Sequence, residues 1–242
     1  MKHPVSLIVL RSVRCNERTD ILSAYSRELG PLSFVIPAGS GKEATRRRAL
    51  LQPMSTVEGI ADISPTRELA RLSQIRPLNP RHAVIANPVK NAVALMMADL
   101  LCAMLRQGQP DGNMWDYISM SLDVLDSLPG NRVANFHIVF IYGLGVLAGI
   151  EPDVSTFRAG CCFDIREGRF LSALPLHGDV LTDAEAKFVV TLSRMTYNNM
   201  HRVGLSRDRR NSILDHLLRY ITIHYVPVDR LRSIEVVREL FV

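Results

Sequence analysis

Short apolar runs separated by turn residues fill the first third of the chain. Their length and their content of branched residues predict strands over residues 5–13, 21–26, 32–37, 54–60 and 66–75. Gly30 and the segment from Gly39 to Gly41 supply the bends that tight turns need. Five short strands in a row are typical of a small barrel, and the OB-fold is the commonest such barrel with a face that binds nucleic acid. An SH3-like barrel is the alternative.

A helical period replaces this pattern after Pro88. Apolar residues between Val93 and Leu105 recur three and four positions apart, which places them on one face of a helix. Proline punctuation and further apolar runs predict helices over residues 114–128, 133–150, 183–200, 212–225 and 233–241. The fold class is therefore α+β, with an OB-fold nucleic-acid-binding domain over residues 1–80 and an α-helical domain over residues 81–242.

Residues 133–150 carry no charge and approach the length of roughly 20 apolar residues that a membrane span needs. Asn135, His137 and three glycines interrupt the run, so we expect a helix buried within the helical domain instead. No signal peptide is expected, because Arg11 interrupts the first apolar stretch. These features predict a soluble, cytoplasmic protein that has no membrane partner.

Residues 151–181 are rich in glycine and too long for an ordinary connection, so they predict a small irregular insertion in the helical domain. The insertion contains the adjacent pair Cys161 and Cys162, with His177 further on. A structural zinc ion takes four ligands, commonly from two Cys-x-x-Cys pairs. The insertion lacks a complete zinc site of this kind, so no metal or other cofactor is expected.

The net charge of +5 is unevenly distributed along the chain. Residues 1–81 contain 13 Lys plus Arg and 7 Asp plus Glu, a net charge of +6, whereas residues 82–242 contain 16 and 17, a net charge of −1. Of the 29 cations 25 are arginine, whose planar guanidinium binds phosphate oxygens in pairs. A polyanion is therefore the expected partner of the N-terminal domain.

No motif for bond-breaking chemistry is complete. The Gly-Lys pair at residues 41–42 would suit a phosphate-binding loop, but Ile36 stands where that loop needs Gly and Glu43 where it needs Ser or Thr. Gly143 and Gly145 lie within a helical run rather than after the strand that a dinucleotide site requires. We therefore expect a protein that is not an enzyme.

Basic residues cluster around the turns of the predicted barrel. Residues 42–48 follow a Gly-rich turn and carry four cations and one Glu, which predicts a mobile cationic loop at the barrel mouth. Together with arginines on neighbouring strands and turns, they would line a groove that follows a phosphate backbone. The predicted nucleic-acid-binding residues are Arg11, Arg14, Arg18, Arg27, Lys42, Arg46, Arg47 and Arg48. A solvated loop without a partner is the alternative.

Aromatic side chains for base stacking are scarce in this third of the chain. Only Tyr25 and Phe34 occur there, and both are expected in the barrel core. Sequence-specific reading of bases is therefore not expected.

Three stretches of the chain resemble a known family. The first is Asn-Glu-Arg-Thr-Asp-Ile-Leu at residues 16–22, which is similar to the family's polar turn entering the second barrel strand. The second spans residues 37–53, from Pro-Ala-Gly-Ser-Gly-Lys through three arginines to Leu-Leu-Gln-Pro, and the third is the C-terminal segment at residues 231–241. In this order and spacing they resemble the RecO family, the recombination mediators of bacterial DNA repair.

The resemblance implies an N-terminal OB-fold, a helical body and, in many members, a four-cysteine zinc module inserted into that body. Residues 157–170 resemble a degenerate, zinc-finger-like remnant of that module. The resemblance further implies a non-enzymatic role in homologous recombination. That role comprises binding of single- and double-stranded DNA without sequence specificity, annealing of complementary strands, and loading of RecA, together with RecR, onto DNA coated by single-stranded DNA-binding protein.

The implied place of action is the bacterial cytoplasm, at the nucleoid. An RNA-binding OB-fold protein is the alternative, because a phosphate groove accepts either nucleic acid and the sequence shows no reader of the 2′-hydroxyl.

A second candidate site lies in the helical domain. Single-stranded DNA-binding protein typically ends in acidic residues and an apolar aromatic one, and such a tail needs cations beside an apolar pocket. An apolar helix containing Ile213, Leu214, Leu217 and Leu218 follows a cluster of cations. The predicted tail-binding residues are Arg202, Arg207, Arg209 and Arg210. A helix start whose arginines face water is the alternative.

Overall fold

The fold is given by a computed structural model that describes residues 1–106, 108–228 and 231–241. The chain forms two compact units, unit 1 (Met1–Ser127) and unit 2 (Leu128–Val242). Five strands of unit 1 lie close to their predicted positions: β1 (Lys2–Arg14), β2 (Thr19–Ser26), β3 (Gly30–Pro37), β4 (Thr56–Asp62) and β5 (Ala70–Pro77).

These strands close into a barrel in the order β1-β2-β3-β5-β4, with β4 pairing back to β1. Neighbouring strands are antiparallel except for β3 and β5, which run parallel. Side chains at alternate positions fill the barrel, among them Leu7, Leu22, Phe34 and Val57. The closed five-stranded barrel followed by helices confirms the predicted fold class and the OB-fold over the SH3-like alternative.

Residues 42–48 are helical, so the prediction of a mobile loop was wrong. Helix α1 (Lys42–Leu50) starts after Gly41, whose φ of 101° lies in the left-handed region that favours glycine. Ala44 is the buried residue of the helix, and Leu51 directly after it joins the barrel core. The helix is therefore fixed to the barrel by Ala44 and by Leu51 at its C-terminal end. Its cations lie on the helix faces that do not contact the barrel core.

Three helices follow the barrel within the described part of unit 1, namely α2 (His82–Ala86), α3 (Pro88–Met104) and α4 (Gly112–Ser127). The Asn87 side chain caps α3 by accepting hydrogen bonds from the backbone N–H groups of Val89 and Lys90, at 3.0 and 3.2 Å. Helix α3 packs along β1. The first helix after the barrel starts at His82, next to the predicted domain boundary between residues 80 and 81. The division into these two domains stays a prediction.

Unit 2 is mainly helical and includes a small sheet at the predicted insertion. Its helices are α5 (Phe136–Leu147), α6 (Asp183–Leu192), α7 (Arg207–His224) and α8 (Ser233–Leu240). The sheet has the order β7-β6-β8, formed by β6 (Cys162–Asp164), β7 (Arg169–Leu171) and β8 (Val180–Leu181). Phe163, Phe170 and Tyr220 are part of the core that joins this sheet to the helices.

Helix α6 ends earlier than the sequence predicted. The prediction extended to residue 200, whereas the helix ends at Leu192. The Asn199 side chain accepts a hydrogen bond from the Thr196 backbone and donates one to the Arg194 carbonyl. Side-chain bonds of this kind compete with helical backbone bonds and close a turn instead.

The uncharged run over residues 133–150 contains α5, in which Phe136, Phe140 and Leu144 are fully buried. Gly149, with a φ of 76°, follows the helix. The prediction of a buried helix is thus confirmed. Within the described ranges, each helix is too short or too polar to span a bilayer.

Candidate nucleic-acid interface

One end of the barrel carries the cations of α1. Arg47 donates a hydrogen bond to the Pro37 carbonyl, and Arg48 donates one to the Gly39 carbonyl at 3.5 Å. Both side chains therefore hold the helix to the loop that precedes it. Lys42 and Arg46 are exposed, and neither forms an ion pair with any described residue. These two cations remain available to a ligand.

The turn between β1 and β2 presents a third available cation. The Asn16 side-chain oxygen accepts a hydrogen bond from the Arg18 backbone at 2.9 Å, and Arg14 braces the turn by donating to the carbonyls of Asn16 and Glu17. The Arg18 side chain is exposed and unpaired within the described part of the chain. The Arg18 backbone carbonyl accepts a hydrogen bond from the Ala38 backbone N–H at 2.8 Å, so this turn lies beside the loop that leads to α1.

Two further predicted residues are already paired with helices of unit 1. Arg11 lies 3.1 Å from Asp99 of α3, and Arg27 lies 3.8 Å from Asp116 of α4. Both arginine side chains are more than half exposed, at 54% and 58%. Exposed pairs contribute only about 0–1 kcal/mol, so a phosphate group would replace either carboxylate at small cost.

Sequence reasoning missed Arg71 and Arg76, which are exposed on β5. Arg71 is the register partner of Val35 on β3, on the outer face of the barrel. The available signal was the alternation Ala-Arg-Leu-Ser at residues 70–73, because Leu72 belongs to the barrel core and its neighbours must point outward.

Unit 2 contains an apolar pocket between its small sheet and the helices α5, α6 and α7. Phe163, Phe188 and Leu217 are among the residues that line it, and Arg209 lines it as well. The Arg209 guanidinium lies 5.8 Å from the centroid of the Phe188 ring and 3.6 Å from a Glu185 carboxylate oxygen. Apolar walls with a partly exposed cation fit a peptide that carries both a ring and a carboxylate.

The other arginines predicted to bind the tail do not line this pocket. Arg210 is buried and donates to the Asn135 side-chain oxygen at 3.1 Å and to the Leu205 carbonyl at 2.9 Å, and burial lowers its pKa. Arg207 pairs with an acidic residue of α8, and Arg202 is exposed. One of the four predicted arginines therefore meets the apolar surface that a tail would need.

The residues of the insertion do not fit a zinc site. The Cys162 thiol donates to the carbonyls of Leu171 and Ala173, each at 3.5 Å, and His177 Nε2 lies 3.3 Å from an Asp164 oxygen. Within the described ranges, no three side chains of His, Cys, Asp or Glu converge as metal ligands would. The geometry of the described insertion residues is therefore that of a small sheet with internal hydrogen bonds and does not match a tetrahedral zinc site.

Similarity to known proteins extends over nearly the whole chain. Residues 1–81 match the family model described as Recombination protein O N terminal, and residues 86–233 match Recombination protein O C terminal. The chain is 32% identical over 234 residues to the DNA repair protein RecO of Phocaeicola vulgatus and 31% identical over 239 residues to that of Porphyromonas gingivalis, with 97% of both chains covered each time. The DNA repair protein RecO of Azobacteroides pseudotrichonymphae is 24% identical over 100% of both chains.

Proposed function

The chain belongs to the RecO family of DNA repair proteins, and we propose that within homologous recombination it is a non-enzymatic protein that binds single- and double-stranded DNA. The observation that carries this proposal is the placement of Arg18, Lys42 and Arg46 at one end of the OB-fold barrel, exposed and unpaired among the described residues. The turn between β1 and β2 and helix α1 hold these cations on ordered backbone, which supports the proposal because binding of a phosphate backbone needs several such cations.

The binding is proposed to be independent of sequence. Tyr25 and Phe34 are 1% and 0% exposed, so neither ring forms a stacking platform. Cations that contact phosphates position the DNA but carry no information on base identity. The buried rings and the exposed cations of the barrel therefore support binding to the DNA backbone without reading of the bases.

Family membership supports the later steps of the proposed role. We propose annealing of complementary strands, which needs cations to offset the repulsion between two phosphate backbones. We also propose that the protein loads RecA, with RecR as partner, onto DNA coated by single-stranded DNA-binding protein, in the bacterial cytoplasm at the nucleoid.

The triple variant Arg18→Ala, Lys42→Ala and Arg46→Ala tests the DNA site. Each lost phosphate contact lowers the slope of log affinity against log salt by about 0.7 on single strands and about 0.9 on duplex DNA. We therefore expect the slope to fall by roughly 2 to 3, with weaker binding at every salt concentration. Fluorescence anisotropy of labelled oligonucleotides over a salt series measures both quantities.

The matched control is Arg202→Ala, an exposed arginine of unit 2 that should leave the slope unchanged. A triple variant with the slope of the unaltered protein would show that these cations are merely solvated. Oligonucleotides of RNA with the same length and composition form a second arm, in which tighter binding of RNA would favour the RNA-binding alternative.

The apolar pocket of unit 2 is proposed to bind the C-terminal tail of single-stranded DNA-binding protein. Arg209→Glu should weaken the full-length protein's affinity for a labelled tail peptide by about tenfold or more, since a charge-assisted hydrogen bond of about 1.5–3 kcal/mol is replaced by repulsion. Arg202→Glu makes the same change of charge away from the pocket and should have little effect. Equal losses in the two variants would indicate non-specific attraction instead of a pocket.

A further inference from the structure

An exposed apolar run lies between strands β7 and β8 of unit 2. It is the sequence Ala-Leu-Pro-Leu at residues 173–176, which we call the leucine loop. Leu174 is 67% exposed, and Leu176 is fully exposed. A soluble protein rarely leaves consecutive apolar residues in water unless they contact a partner. The leucine loop is therefore a candidate contact surface.

Hydrogen bonds and an ion pair fix the backbone on both sides of the leucine loop. The Cys162 thiol of β6 donates to the carbonyls of Leu171 and Ala173, each at 3.5 Å. Beyond the loop, His177 Nε2 lies 3.3 Å from a carboxylate oxygen of Asp164, which is buried. These contacts hold the loop on the small sheet while its two leucine side chains remain in solvent. A loop that is already ordered loses little conformational entropy when it binds.

Unit 2 also contains an apolar pocket that suits such a loop. The pocket between the small sheet and the helices α5, α6 and α7 is lined in part by Phe163 of β6 and Leu181 of β8. The leucine loop connects β7 to β8, so the loop and the pocket belong to the same small sheet. A plug and a pocket on one surface make that surface self-complementary. Two copies related by a twofold axis then insert their loops reciprocally, and the assembly closes as a dimer.

The area of this contact fits a weak dimer. Each copy would bury Leu174 and Leu176 together with the part of its own pocket that receives the loop of the other copy. Summed over both copies, this area is of the order of 1,000 Å², where specific interfaces begin. We therefore expect an equilibrium between monomer and dimer at micromolar concentration.

The charges around the loop and the pocket are complementary. At the base of the loop, Arg166 and Arg219 share the single carboxylate of Asp179, at 2.6 and 2.8 Å, so the three side chains together carry a net charge of +1. At the rim of the pocket, Glu151 is exposed next to the lining residue Pro152. Reciprocal insertion brings the cationic base of one copy toward the anionic rim of the other, which favours a second copy as the occupant.

We propose that two copies of the chain form a twofold dimer in which the leucine loop of each copy occupies the apolar pocket of the other. The dimer does not depend on DNA binding and goes beyond the proposed function. It uses the pocket that is proposed to bind the tail peptide, so dimer formation and tail binding exclude each other.

The double variant Leu174→Ser and Leu176→Ser tests the loop. Sedimentation velocity of the full chain from about 1 to 200 µM should show the unaltered protein passing from monomer to dimer, a range that suits an interface of this size. In the variant we expect the dissociation constant of the dimer to rise by about tenfold or more, because the buried apolar contact is lost. Both leucines are exposed in the monomer, so the fold of each copy should be unaffected. The matched control is Leu78→Ser, an exposed leucine of unit 1 that should leave the dimer unchanged.

The variant Gly145→Leu tests the pocket. Gly145 lines the pocket, and a Cβ there would meet the Ile150 side chain at 3.6 Å, an ordinary contact distance. The added side chain should fill the pocket and raise the dissociation constant of the dimer as much as the loop variant does. Urea unfolding checks that the variant is folded, and the loop variant tests the proposal independently if it is not.

A protein that stays monomeric at every concentration would overturn this inference. A dimer that persists in the loop variant, or in folded Gly145→Leu, would overturn it as well, since the copies would then meet through another surface. Dissociation of the dimer by an excess of the labelled tail peptide would support a shared pocket. A dimer that meets these expectations in a protein that does not bind the tail peptide supports this inference and overturns the proposed tail site alone.

Discussion

Replacing Arg81 with methionine is expected to lower the free energy of unfolding of unit 1 by about 3 kcal/mol. The Arg81 side chain is 6% exposed. It donates to Asp123 and to Ser119 of α4, at 2.9 and 3.1 Å, and to the Thr56 hydroxyl of β4 at 3.0 Å. Methionine fills similar space but makes none of these hydrogen bonds, so the Thr56 and Ser119 hydroxyls lose the donor that joins β4 to α4.

Trp115, the single tryptophan of the chain, makes the measurement specific to unit 1. It is buried in α4, so its fluorescence during urea unfolding follows this unit. Arg46→Ala removes an exposed arginine without a described partner and should shift the free energy by less than about 0.5 kcal/mol. An Arg81→Met protein as stable as this control would show that the buried guanidinium contributes nothing net.

The barrel was predictable because its strands follow a strong local rule. Alternate residues such as Leu22 and Phe34 must fill a closed interior, and turn residues mark each strand end, so period and punctuation point to the same elements. The helical period beyond residue 88 was equally clear, since α3 buries an extended apolar face. Both signals reside in the local sequence and do not depend on distant partners.

Helix α1 could not be found in this way. It buries Ala44 alone, so it has no apolar period, and its sequence resembles a solvated loop. Its charges give a weaker signal, with Glu43 in the first turn and Arg47 and Arg48 in the last, where they oppose the partial charges of the helix ends. Contact with the barrel fixes the helix, and such tertiary contact is invisible in a single window of sequence.

The roles of individual arginines were the least predictable feature of the candidate sites. The local sequence does not distinguish an exposed arginine from a buried one. Arg46 is exposed, whereas Arg81 and Arg210 are buried and donate hydrogen bonds to internal acceptors. Which role an arginine takes depends on carboxylates and carbonyls that lie tens of residues away. The net charge of the sequence therefore showed that the barrel is the cationic part of the chain. Only the folded structure showed which arginines are exposed to a ligand and which hold the fold together.

Unit 2 should lose stability as the pH falls below about 6.5, the ordinary histidine pKa. His137 of α5 is 1% exposed, and burial, with a smaller contribution from the nearby Arg210 charge, lowers its pKa to about 3. Between pH 6.5 and pH 3, His137 is protonated in the unfolded chain but neutral in the folded chain. The free energy of unfolding is therefore highest above pH 6.5 and declines as the pH falls toward 3. At pH 4.5 the expected loss is about 2–3 kcal/mol.

The variant His137→Phe removes this titration while keeping a ring that stacks on Phe241, whose centroid lies 5.7 Å from that of the histidine. Hydrogen exchange of the α5 amides from pH 4.5 to 7 should show a much shallower decline in the variant than in the unaltered protein. Burial also lowers the pKa of His216 on α7, so His216→Asn serves as the matched control and should remove a smaller part of the slope. An unchanged slope in His137→Phe would mean that His137 accepts its proton in the folded state, because water reaches the ring or Arg210 moves away from it.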